Sequence, residues 1–93
     1  IAVQYLLEIF NDSSPRYTIK RKLEIYTELI EEDETNQQIV LLALPNVSEL
    51  LYAKRRVKLL SDNLDEDTIS RIRFATTDKI KQMGVAGEIW EEV

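Results

Sequence analysis

Neither cysteine nor histidine occurs in this 93-residue chain. Without cysteine there are no disulfides, no thiolate-held zinc and no thiol nucleophile. Without histidine the commonest metal ligand is missing, and so is the side chain most used for proton transfer near neutral pH. The only glycines are Gly84 and Gly87, too few for a glycine-rich phosphate loop. The acidic runs lack the alternating aspartate spacing of a calcium loop. The expectation is therefore a protein that is not an enzyme, with no catalytic residue, no cofactor and no metal. The longest apolar run, Ile39 to Leu44, falls far short of the ~20 residues of a membrane span. No basic-then-apolar leader opens the chain, so a cytoplasmic protein that does not enter the membrane is expected. The chain begins at Ile1 and is read as one domain, whole or cut from a longer protein.

What is present is a globular composition, 44% hydrophobic and 31% charged, with a net charge of −5. Two prolines and two glycines leave long uninterrupted stretches, and the pattern predicts an all-α fold, a small bundle of five or six short helices. Residues 1–10 read as a first helix, broken by "NDSSP". Ser13 or Ser14 is placed to cap a second helix, with Pro15 near its first position. In that helix Ile19, Leu23, Tyr26 and Ile30 recur at 4-3-4 spacing as an inward stripe, which Leu29 and Ile25 widen. Thr35-x-x-Gln38 has capping-box form and predicts a short helix to about Leu44, and Asn46-x-x-Glu49 predicts another to Leu60, with Leu50, Ala53, Val57 and Leu60 along one face. The run "IVLLAL" also suits a buried strand, but no second convincing strand is visible to pair with it. After the polar connector "SDNLDED", one helix is predicted from about Glu66 to Met83, with Ile69, Ile72, Thr76, Ile80 and Met83 inward and a stop at Gly84.

Charge comes in alternating blocks, and the blocks suggest two ways the helices could be arranged. The second helix is basic near its start and acidic near its end, the reverse of what its dipole favours. If Pro45–Asn46 reverses the chain, helix 47–60 runs parallel to the second helix and sets its basic end against the acidic one. If Pro45 only kinks a longer helix, the two basic clusters share one pole. In that case Arg16, Lys20, Arg21 and Lys22 join Lys54, Arg55, Arg56 and Lys58 as candidate nucleic-acid-binding residues. The helices flanking "LPNV" also suggest a helix-turn-helix. Against this, the base-reading part of its second helix would be Val47, Ser48, Glu49 and Leu50, where Glu49 opposes phosphate.

The functional expectation is a helical protein-interaction or assembly module that binds another protein or itself. Phe74 lies opposite the predicted inner face, among Arg71 and Lys81, which is common chemistry at an interface centre. The competing reading buries Phe74 beneath a neighbouring element. Trp90, between Glu88 and Glu91, either folds back onto the core or docks on a partner. Phe74, Arg71, Lys81 and Trp90 are the candidate partner-binding residues. Nucleic acid is the alternative partner.

Overall fold

The computed structural model describes residues 3–35, 37–60 and 64–93. It is an α/β fold, not an all-α bundle, and its centre is a three-stranded parallel sheet. The chain runs β1 (Gln4–Ile9), α1 (Arg16–Glu31), β2 (Gln38–Leu44), α2 (Val47–Leu60), α3 (Glu66–Ser70), β3 (Ile72–Thr76) and α4 (Thr77–Met83). The strands lie in the order β1-β2-β3, with Gln4 beside Gln38 and Val40 beside Ile72. Parallel neighbours cannot be joined by a tight turn, so a helical crossover separates each pair.

The predicted first helix is thus a strand, as are the predicted short helix ending at Leu44 and the middle of the predicted helix 66–83. "IVLLAL" is the central strand, and Val40 to Leu44 are buried on both faces. A strand covered on both faces reads as a continuous apolar run, because neither face can be polar. The capping box at Thr35 does not start a helix. Instead Asp33 Oδ2 accepts from the Gln37 and Gln38 backbone N–H groups, each at 3.0 Å, and steers the chain into β2. Asn36 of that box and residues 1–2 and 61–63, the last being the start of the predicted connector, lie outside the described residues. Further along the connector, Asp65 caps α3, accepting from the Thr68 N–H at 2.7 Å.

One core lies between the sheet and the two long helices. Ile19, Leu23 and Ile30 of α1 and Leu50, Ala53 and Val57 of α2 meet Val40, Leu42, Leu44, Ile72 and Phe74. Both stripes follow the helical period read from the sequence, but Ile25 and Leu29, expected to widen the first, are exposed. Neither serine caps α1. Its N-cap is Pro15, with no side-chain hydrogen bond, while Ser14 Oγ is taken up by Asn11. Glu8, on the inward side of edge strand β1, is answered by Lys22 of α1 at 3.1 Å. At the opposite end of the strands, Arg71 is buried against Asp33 and Asp67, with each N–O distance at 3.5 Å.

Candidate functional site

Each of α1 and α2 leads from one strand to the next in a monotonic order, and their stripes share one core, so both cover the same face of the sheet. The other face carries three rows of side chains: Tyr5 and Ile39; Leu7, Leu41 and Arg73; Ile9, Ala43 and Ala75. Coverage of this face is uneven. Ala43 and Ala75 are fully buried, but Tyr5, Leu7 and Ile9 are 59%, 43% and 62% exposed. With Val3, also exposed, they form an apolar strip along β1.

The cover over β3 is made by the last residues of the chain. Gly84 ends α4 at a φ of 81°, a left-handed value that favours glycine. The chain then turns back, with the Gly87 N–H bonded to the Gly84 carbonyl at 3.1 Å. A Cβ at Gly87 would stand 3.0 Å from the Met83 carbonyl oxygen, so the turn is packed as tightly as glycine allows. The Trp90 indole N–H donates to the Val85 carbonyl at 2.9 Å, and Ile89 is buried. Phe74 and Glu91 exchange two backbone hydrogen bonds of 2.8 Å, and the Glu91 carboxylate receives Lys54 at 2.8 Å. The free edge of β3 is therefore clamped at its middle.

The opposite edge is not. Gln4 and Phe10 donate their N–H groups to the carbonyls of Gln37, just before β2, and of Ala43 within it. Strand alternation then turns the amides of Tyr5, Leu7 and Ile9 outward, where among the described residues nothing pairs with them. Natural sheets blunt such edges with charge, proline or a bulge. Here the outward face carries only apolar side chains and the tyrosine hydroxyl.

Between the last segment and the sheet lies an open cleft of about 730 Å³. Tyr5, Leu41 and Arg73 form its floor, and residues 85–88 with Trp90 form its roof. The Arg73 Nε donates to the Ser70 carbonyl at 3.3 Å. Among the described residues no carboxylate lies within ion-pair distance of Arg73, although Glu88 stands exposed on the rim.

Comparison with protein-family models, curated proteins and solved structures finds no match to this chain.

The residues singled out in the sequence fall in different places. Phe74 is fully buried on the helix-covered side of β3 and has no surface to offer a partner. The helical wheel that exposed it does not apply, because residues 72–76 alternate as a strand. Arg71 is buried in its pairs with Asp33 and Asp67, while Lys81 is exposed on α4. Trp90 turns back on its own segment, bonding Val85, but lines the cleft and does not join the core.

Helices α1 and α2 both run against parallel strands and so run parallel to each other. This is the arrangement in which the basic end of α2 lies beside the acidic end of α1, and Leu60 indeed shares a groove with Glu24 and Glu28. Arg21 of the first basic cluster lines that same groove, so the two clusters are not parted to opposite ends of the helical layer. Several of their members are already engaged. Arg16 bonds Glu49 at 3.1 Å and Ser48 at 3.2 Å and stacks over Tyr52, Lys22 holds Glu8, and Lys54 holds Glu91. Lys20, Arg21, Arg55 and Lys58 are exposed and Arg56 is half-buried. No group of three or more acidic side chains suited to a metal occurs among the described residues, and no helix there is long and apolar enough to cross a membrane.

The residues that sequence reasoning missed are Tyr5, Leu7, Ile9 and Arg73. The alternation of residues 3–10 carried a signal for the first three, since polar Gln4 and Glu8 fall on one side with Leu6 and Phe10. Nothing local marked Arg73.

Proposed function

We propose that the chain is a binding module without chemistry of its own, which takes onto the open edge of β1 the same strand of a second copy of this chain. The observation that carries the reading is the coincidence, on one strand, of unpaired outward amides with an exposed apolar row. Strand addition uses the amides for affinity and the row for specificity. The row fits a second copy of itself. In antiparallel pairing about a two-fold axis at Leu7, Tyr5 faces the other copy's Ile9 and Leu7 faces Leu7. Each of these pairs exchanges two backbone hydrogen bonds. Aromatic and branched side chains opposite one another are favourable cross-strand pairs. Glu8 then faces Leu6 and not a second Glu8, so the register sets no like charges directly opposite. A cytoplasmic setting belongs to the same proposal.

The test is sedimentation of the chain and of Leu7→Pro. The Leu7 N–H points away from β2, so proline there removes an outward donor and spares the inner ladder. The expected result is a concentration-dependent dimer for the wild type and a folded monomer for the variant. A wild type that stays monomeric to millimolar concentration overturns the pairing of two copies. So does a dimer indifferent to Leu7→Pro.

A further inference from the structure

The cleft beneath residues 85–90 has a chemistry that strand pairing does not use. Its walls are Leu41, Val85, Ala86 and the two aromatic rings of Tyr5 and Trp90. A volume of about 730 Å³ lies within the ~300–1,000 Å³ of ordinary small-molecule sites. On its floor stands the half-buried Arg73, with its cationic guanidinium. The hydrogen bond from its Nε to Ser70 accounts for one donor. The remaining donors meet no carboxylate among the described residues, whereas the neighbouring Arg71 is held by both Asp33 and Asp67. A partly desolvated guanidinium in an apolar cleft is costly until an anion reaches it, and its planar fork matches a carboxylate best.

The walls, for their part, are anchored before any ligand arrives. The Trp90 indole is tied to Val85, Ile89 is buried, and Glu91 is clamped to Phe74, Lys54 and Lys79. Such a site loses little freedom on binding. Glu88 on the rim disfavours a second negative charge on the ligand, so one carboxylate is the number the site accommodates.

We propose that this cleft binds a small aromatic or branched-chain monocarboxylate, its carboxylate on Arg73 and its apolar body between Tyr5 and Trp90. Charge complementarity selects the head group, and the lining selects the body. The proposal is independent of strand pairing at β1, and it draws on a different set of side chains apart from Tyr5.

Trp90 is the only tryptophan, so its fluorescence reports the occupancy of the cleft directly. The probe is 3-phenylpropionate, titrated beside its neutral amide, 3-phenylpropionamide. The expected result is a saturable change with the acid, and affinity for the amide at least about tenfold weaker, the scale of a charged hydrogen bond. Arg73→Gln should erase the preference for acid over amide, and Arg73→Lys should restore part of it. Should Arg73→Gln fail to fold, the comparison of acid with amide in the wild type still decides. Equal responses to acid and amide, or no response to either at millimolar concentration, overturn the proposal. A third arm uses N-acetyl-valyl-phenylalanine with a free carboxylate. Binding of this dipeptide tenfold or more tighter than 3-phenylpropionate would show that the occupant is a chain end, and would overturn the assignment to a small molecule.

Discussion

Asp33 organises the end of the sheet at which β2 begins. Its carboxylate accepts from the Thr35 hydroxyl at 2.6 Å, from the backbone N–H groups of Thr35, Gln37 and Gln38, and from Arg71. Chief among these the Thr35 hydroxyl, then the backbone donors, holds the carboxyl below its ordinary value of 3.8. A carboxyl whose folded value is depressed binds its proton more readily in the unfolded chain. Its contribution is therefore complete above about pH 5, starts to fall near pH 4, and is lost as the pH drops through the lowered folded value. The expected outcome for Asp33→Asn is a loss of stability that is constant near neutrality and shrinks as the pH falls below about 4. Urea unfolding of both proteins across that range checks it, and a difference that does not depend on pH would contradict it. Asp65 is lowered in the same direction by its bond to the Thr68 N–H, so the wild type alone does not separate the two carboxylates.

At the scale of elements, local signals were legible where their partners are local. Asn46 does cap α2, since its Oδ1 accepts from the Glu49 N–H at 2.9 Å. Only half of the predicted capping box forms, because the Glu49 carboxylate turns to Arg16 of the neighbouring helix instead. Replacing Asn46 with alanine is expected to cost about 1 kcal/mol, the ordinary scale of an N-cap, without changing the fold. Chemical denaturation monitored by circular dichroism measures the cost, and no change in midpoint would show the cap to be idle. Gly84 ends α4 as its position predicted, and the periodicity marked Ile19, Leu23 and Ile30 of α1 and Leu50, Ala53 and Val57 of α2 as inward, though it also marked Ile25 and Leu29, which are exposed. The stretch from Glu66 to Met83 misled because Ile69, Ile72, Thr76 and Ile80 fall at helical spacing. Within it, Ile72, Phe74 and Thr76 also alternate with Arg73 and Ala75, and the sheet uses that second period.

At the scale of the whole molecule, the two long helices α1 and α2 occupy one side of the sheet, and among the described residues the last segment, 85–90, lies over the other. The shortest dimension, 17 Å, suits one helical layer on a sheet and not a helical layer on each face, given ~10–12 Å for one helix with its side chains. The charge of −5 belongs to this scale as well. Two copies pairing through β1 repel one another at long range, and salt screens such repulsion. Dimerisation through the apolar row is therefore expected to strengthen from low to moderate ionic strength, whereas an interface built on ion pairs would weaken. Sedimentation at two salt concentrations distinguishes these outcomes.

The sequence by itself determined the two long helices, their inward faces, the caps at Asn46 and Gly84 and the buried character of "IVLLAL". Each of these follows from interactions within about one turn of helix or from the composition of a short run. Only the tertiary structure decided that Ile39 to Leu44 is a strand. Its partners are Gln4 to Ile9, on the far side of α1, and Ile72 to Thr76, on the far side of α2 and α3. A parallel strand is stabilised by hydrogen bonds to neighbours a whole crossover away, so no short stretch of sequence contains the pair that makes it. The same long-range pairing buries Phe74 among the core side chains, sets Arg73 on the opposite face under the last segment, and leaves the apolar row of β1 at an open edge.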